Sequence, residues 1–107
     1  MDISGLFGKV KEMQEKIQES QERVKKLQAE GEAGGGMVRA LVSGERRVIS
    51  ISVDDALVNN DDKELIQDLS VAAVNAAMEK IDQLIKDEMS KVTGGLPNIP
   101  GFQFPGL

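Results

Sequence analysis

The sequence lacks both histidine and cysteine in a chain of 107 residues. Their absence removes the usual zinc ligands, the thiol nucleophile and the commonest general base. The remaining paired carboxylates, Asp54 with Asp55 and Asp61 with Asp62, stand among residues that favour turns and helix caps. We therefore expect no enzyme, no metal, no cofactor and no small-molecule substrate.

Aromatic residues are also scarce, with no tryptophan, no tyrosine and only Phe7, Phe102 and Phe104. A chain of this length forms one domain and buries about two thirds of its unfolded surface. A core without aromatic bulk gains stability by dimerising. Single-stranded nucleic acid is an unfavourable partner, because base stacking needs aromatic side chains.

No run of the sequence approaches the roughly 18 to 20 apolar residues of a membrane span, and the start lacks a basic, apolar signal peptide. We expect a cytoplasmic protein without a membrane partner. The net charge is −5, but residues 1–30 hold six cations and six anions, whereas residues 61–107 hold four and eight. Nucleic-acid binding would therefore depend on local basic patches.

The first 27 residues carry a seven-residue repeat. Position a holds Ile3, Val10, Ile17 and Val24, and position d holds Leu6, Met13, Ser20 and Leu27. This narrow stripe predicts a helix of coiled-coil type over residues 3–27. Such a stripe needs another helix, and both a second copy and a later helix of this chain satisfy it.

The charges of this first helix fall into rows. Position g holds Lys9, Lys16 and Arg23, position b holds Lys11 and Lys25, Lys26 adjoins them, and the e positions hold no acid. These rows suit a polyanion. They also suit a solvated helix, because Glu12 with Lys16, Glu19 with Arg23, and Glu22 with Lys26 have the favourable i to i+4 spacing.

The middle of the chain predicts a three-stranded antiparallel meander with one half-buried face. Strands are expected over residues 29–33, 37–42 and 47–53, with turns at residues 34–36 and 43–46. Three consecutive glycines favour a hairpin turn, since the Lys and Ser/Thr of a phosphate-binding loop are missing. Arg39, Arg46 and Arg47 are expected to group at one end, as edge-strand protection or as secondary DNA contacts.

A short turn over residues 56–58 and a cap-rich stretch at residues 59–62 lead to a second long helix, from about Lys63 to about Val92. Its first half includes Ala72, Ala73 and Ala76, whose small side chains permit close packing. Its second half is flanked by Lys80, Lys86 and Lys91. We expect one domain over residues 1–93 and a flexible, Gly/Pro-rich tail over residues 94–107.

The order of elements accompanies several short motifs: MQEKIQ at 13–18, GEAGGGMV at 31–38, DDKELIQDL at 61–69, AAVNA at 72–76, and GGL to PGF across 94–102. Together they resemble the YbaB/EbfC family of bacterial nucleoid-associated proteins over nearly the whole chain. The resemblance implies a small α+β homodimer shaped like tweezers, whose projecting helices grip duplex DNA in the nucleoid. It also implies roles in nucleoid organisation and gene regulation, with no defined catalytic residues.

The resulting hypothesis is a homodimer that contacts duplex DNA mainly through phosphates, with weak sequence selectivity. The candidate DNA contacts are Lys9, Lys11, Lys16, Arg23, Lys25, Lys26, Lys80, Lys86 and Lys91. The candidate dimer contacts are Ile3, Leu6, Val10, Met13, Ile17, Val24, Leu27, Ala72, Ala73 and Ala76. The alternatives are a helical adaptor or co-chaperone that holds another protein, and a small hydrolase that uses Asp54 or Asp61.

Overall fold

The computed structural model describes residues 3–93, arranged as helix, meander and helix. The elements are α1 (Ile3–Lys26), β1 (Gln28–Ala33), β2 (Val38–Ser43), β3 (Val48–Val53), α2 (Asp55–Asn59) and α3 (Lys63–Thr93). The predicted α+β fold is confirmed over this range. The predicted tail, residues 94–107, lies outside it.

The stretch predicted as a turn at residues 56–58 is instead the short helix α2. Asp54 caps its start, because the carboxylate accepts a hydrogen bond from the backbone N–H of Ala56 at 2.8 Å. The backbone N–H of Asn60 closes its end on the carbonyl of Ala56 at 3.2 Å. At the next helix start, the carboxylate of Asp62 accepts from the N–H of Leu65 at 3.3 Å. The capping interpretation of these aspartates is thereby confirmed.

The three strands form an antiparallel sheet in the order β1-β2-β3. Gly34, Gly35 and Gly36 make the first turn with φ angles of +65°, +68° and +91°. Residues other than glycine rarely adopt such φ angles, so the predicted glycine hairpin is confirmed. A register shift at residues 41 and 42 interrupts the pairing of β2 with β3.

α3 lies across the inner face of β1 and β2, and the core fills the space between them. Its buried apolar residues are Ala29, Val38, Ala40, Val42, Leu57, Ala73, Ala77, Ile81 and Ile85. At Gly31 the strand touches the helix backbone: an added Cβ would lie 2.4 Å from the carbonyl oxygen of Ala73. Of the small residues predicted to permit close packing, Ala73 and Ala76 thus serve an approach within one chain.

β3 receives little cover from α3. Val48, Ile49 and Ile51 are 46–48 % exposed, so the half-buried face predicted for this strand is found only at Val53, which packs against the core. The reason is the position of α3, which lies over β1 and β2 and leaves β3 largely uncovered. Ile51 and Val71 instead belong to an open apolar groove between β3 and α3.

α1 packs antiparallel on the second half of α3. Ser20 is completely buried, and its hydroxyl lies 3.5 Å from both the carbonyl oxygen of Glu88 and the sulfur of Met89. Val24 and Leu27 pack against the core cluster. The question that the seven-residue repeat left open is answered for this half of α1, whose partner is α3 of the same chain.

Candidate nucleic-acid interface

One side of α1 carries cations at intervals of seven residues, at Lys9, Lys16 and Arg23. Two turns of helix separate successive members, so the row runs roughly 21 Å along one side. α1 as a whole holds six basic and four acidic residues, a net charge of +2 in a protein of net charge −5. The local surplus lies where the DNA-binding hypothesis requires it.

The end of α3 extends this row. Lys9 and Lys16 line the same shallow depression as Val92, and Lys91 precedes Val92 on α3. Lys91 also shares a carboxylate with Arg23, because both bind Glu88. We call Lys9, Lys16, Arg23 and Lys91 the basic strip. It spans two helices that are adjacent only in the folded chain.

Glu88 is the acid that both Arg23 and Lys91 contact, and its side chain is only 9 % exposed. Arg23 donates from Nε to Oε1 of Glu88, and Lys91 donates from Nζ to Oε2 at 3.1 Å. These hydrogen bonds lower the pKa of the Glu88 carboxyl below its ordinary value of 4.5, and the bond from Arg23 has the largest effect. The carboxylate therefore joins α1 to α3 and exposes little negative charge beside the strip.

We expect Glu88→Gln to destabilise the protein at neutral pH, because the amide cannot neutralise two cations. A lowered carboxyl pKa in the folded state adds stability above about pH 4.5, and this is lost as the pH falls through the folded pKa. The difference in melting temperature between wild type and variant should thus shrink below pH 4.5 and vanish in stronger acid. Thermal unfolding monitored by circular dichroism from pH 3 to pH 7 measures it.

The matched control is Glu19→Gln, which removes an exposed acid of α1 from the position predicted to pair with Arg23. It should leave the melting temperature nearly unchanged, because Arg23 pairs with Glu88 instead. A Glu88→Gln effect that stayed constant from pH 7 to pH 3 would contradict the ion-pair role.

The other candidate cations do not join the strip. Lys25 pairs with Glu22 at 3.4 Å, whereas the sequence predicted that Glu22 would pair with Lys26. The predicted pair of Lys16 with Glu12 is present, at 3.4 Å.

Lys80 and Lys86 are six residues apart, which turns them about 120° from each other around α3. Within the described chain, no carboxylate lies in ion-pair contact with Lys9, Lys11, Lys26, Lys80 or Lys86. The nine candidates therefore occupy more than one face.

The three arginines of the sheet do not form the predicted group. Arg39 lies near the glycine turn and pairs with Glu30 at 3.5 Å and Glu32 at 3.9 Å. Arg46 lies at the opposite end of β2 and pairs with Asp82 at 3.0 Å, and Arg47 follows it in an exposed position. The strand length between the two turns separates them.

The candidate dimer residues divide into two sets. Ile17, Val24, Leu27 and Ala76 are partly buried and Ala73 is fully buried within one protomer, whereas Ile3, Leu6, Val10, Met13 and Ala72 are exposed. Together with Phe7, the four exposed residues of α1 form what we call the tip stripe. Glu88 could not be found from sequence spacing, because its partner Arg23 lies 65 residues away. The open face of β3 could have been predicted from the lack of charge in that strand.

No helix among the described residues combines the length and apolar character needed to cross a bilayer. The described carboxylates also form no group of three or more arranged to hold a metal ion.

Known proteins resemble this chain closely. Nucleoid-associated protein mlr5504 of Mesorhizobium japonicum is 38% identical over 104 residues, covering 97% of each chain. Nucleoid-associated protein DP1429 of Desulfotalea psychrophila is 43% identical over 104 residues, covering 95% of this chain and 98% of its own. The crystal structure of the uncharacterized protein HP0035 from Helicobacter pylori superposes with a TM-score of 0.70 at 26% identity, over 88% of this chain and 99% of that one.

The sequence profile of the YbaB/EbfC DNA-binding family matches residues 1–96. This range includes both long helices, the whole sheet and every residue of the basic strip. With relatives of 38% and 43% identity along nearly their full lengths, the family is shown by sequence as well as by fold. The chain belongs to the YbaB/EbfC DNA-binding family.

Proposed function

We propose that this protein binds duplex DNA as a homodimer, mainly through phosphates, and so contributes to nucleoid organisation and gene regulation. The basic strip is the observation that carries the proposal. Its four cations follow one side of a two-helix arm. Two acids lie among them: Glu88 is engaged by Arg23 and Lys91, and Glu12, in the depression beside Lys9, is engaged by Lys16. Both of these acids are therefore already paired with cations of the strip.

Phosphate contact suits the side chains of the strip. Lysines on long flexible stems act as point charges that position a protein on the backbone without reading base edges. The described helices also offer no aromatic side chain beside the strip apart from Phe7 at the end of α1. We therefore infer weak sequence selectivity and a preference for duplex over single strands.

The salt dependence of binding tests this proposal. Fluorescence anisotropy of a labelled duplex, titrated between 50 and 200 mM salt, should give a slope of log K against log salt of about −3.6 or steeper, the value for four phosphates at −0.9 each. Four phosphates are contacted when Lys9 and Lys16 of both copies in the homodimer each bind one. Absence of salt-sensitive binding at micromolar protein would favour the helical adaptor. The same titration with duplexes of unrelated sequence measures sequence selectivity.

The dimer part of the proposal is supported by the edge of the sheet. β3 has the sequence VISISV, with neither a charged residue nor a proline to discourage pairing with another strand. The opposite edge strand, β1, carries Glu30 and Glu32. Beside β3, Val71 is 62 % exposed, and Ala72 adjoins it on α3. A second copy that packs on this uncharged face would cover both the strand edge and the apolar groove.

We expect Val71→Glu to weaken self-association by roughly a hundredfold, because burying an unpaired carboxylate costs about 3 kcal/mol or more. Sedimentation velocity across a range of protein concentrations measures the dissociation constant. Val58→Glu, a similar change at an exposed valine of α2, should leave it unchanged. Monomerisation by Leu6→Glu with no effect of Val71→Glu would instead place the dimer contact on the tip stripe.

A further inference from the structure

The tip stripe is a row of large apolar side chains that no described residue covers. Ile3, Leu6, Phe7, Val10 and Met13 are between 40 and 69 % exposed. They occupy the a, d and e positions of α1, and the same stripe is buried further along, at Ser20. A continuous exposed stripe of this kind marks a contact surface rather than scattered surface apolar residues.

The stripe is open because α3 ends first. The two helices are antiparallel, and Val92, in the last turn of α3, lines the same depression as Lys9 and Met13. From Met13, α1 continues for ten more residues to Ile3, which is about 15 Å of helix. The chain therefore leaves α3 beside the base of the stripe, with residues 94–107 still to come.

Those 14 residues have the composition of a segment that packs on such a stripe. They contain no charged residue, all three prolines of the chain, and Leu96, Ile99, Phe102, Phe104 and Leu107. Proline follows Leu96, Ile99 and Phe104 directly, and a following proline disfavours the α conformation and favours an extended one. Extended polyproline chain rises about 3.1 Å per residue, so 14 residues reach roughly 43 Å, well beyond the length of the stripe.

We propose that residues 96–100 pack along the tip stripe of their own chain and complete the arm where α3 stops. The spacings agree: in a polyproline conformation Leu96 and Ile99 share one side, about 9 Å apart. Equivalent positions of the α1 stripe, such as Val10 and Ile3, recur about every 10.5 Å. The segment and the residues of the stripe are both uncharged, so they match in polarity.

Charge argues against a second copy of α1 as the occupant. In a parallel pair the g-position lysines, Lys9 and Lys16, would face glutamine at e, and in an antiparallel pair they would face each other. Neither arrangement supplies an acid. The tethered segment, in contrast, is held near the stripe at an effective concentration in the millimolar range. This inference does not depend on DNA binding.

The absence of cysteine makes a disulfide experiment clean. In the full chain, Leu6→Cys combined with Asn98→Cys should form an intramolecular disulfide at least about fivefold faster than Gly8→Cys combined with Asn98→Cys, since only nearby, correctly directed thiols can bond. Residues 6 and 8 are neighbours in sequence but lie about 160° apart around the helix. Non-reducing electrophoresis at low protein concentration, confirmed by mass, follows both pairs.

Equal rates for the two pairs would overturn the proposal, because they would mean that the segment has no preferred side of α1. Disulfide-linked dimers as the main product would also overturn it, by showing that the segment covers another copy. A second measurement uses Leu6→Cys alone, whose reaction with iodoacetamide should be slower than that of Gly8→Cys. Adding Leu96→Ser and Ile99→Ser should remove that difference, and a persistent difference would contradict the proposed contact.

Discussion

Gly31→Ala is expected to lower the melting temperature by roughly 15 °C, from a loss of about 3 kcal/mol. The added Cβ would lie 2.2 Å from the backbone nitrogen of Ala77 and 2.4 Å from the backbone oxygen of Ala73. Both atoms belong to the main chain of α3, so no side-chain rotation can relieve the clash. β1 and α3 must move apart, which loosens the most enclosed part of the core. Thermal unfolding at a fixed protein concentration measures the effect.

Gly8→Ala is the matched control, because a Cβ at Gly8 meets nothing within 4 Å. This glycine lies on exposed α1, where alanine favours the helix by roughly 1 kcal/mol. The control should therefore leave the melting temperature unchanged or raise it. If Gly31→Ala also left the melting temperature within a few degrees of wild type, the close approach of β1 to α3 would be incorrect.

The second large effect is expected from Lys9→Gln combined with Lys16→Gln, which should weaken duplex binding at least roughly tenfold near 0.1 M salt. Both lysines belong to the basic strip, and neither takes part in the Glu88 contact that joins α1 to α3. The slope of log K against log salt should become shallower by about 1 for each lysine removed from contact. Anisotropy titrations of one duplex at several salt concentrations give both quantities.

Lys80→Gln combined with Lys86→Gln removes the same charge from α3 and serves as the control. These lysines are exposed but turned about 120° from each other, so one DNA backbone cannot lie along both. The control should change affinity and slope much less. Equal losses in the two variants would show that net charge, and not the basic strip, governs binding.

The secondary structure was predictable because its signals are local. The seven-residue repeat defined α1 to within one residue, the three glycines defined the first turn, and the aspartates before α3 defined its start. The short helix α2 was missed, since five residues carry too little periodicity to distinguish a helix from a turn. Overall fold followed from the order of these elements together with the family resemblance.

The candidate interface was only partly predictable. The row of Lys9, Lys16 and Arg23 follows from heptad spacing, which any straight helix preserves. Its extension by Lys91 does not, because it depends on how far α3 runs alongside α1. The predicted grouping of Arg39 with Arg46 failed for a related reason, since nearness along a hairpin does not place residues at the same end of a strand.

The sequence by itself determined the two long helices, the three strands, the seam of α1, the glycine turn and the absence of thiol and imidazole chemistry, because each rests on residue type or short-range spacing. Only the tertiary structure decided that α1 packs on α3 of the same chain at Ser20, that Arg23 and Lys91 both bind Glu88, and that β3 and the tip stripe stay exposed. The contacts involved connect residues up to 69 positions apart. Contacts at such separations are fixed by how whole faces pack and where each helix ends, which no local pattern specifies.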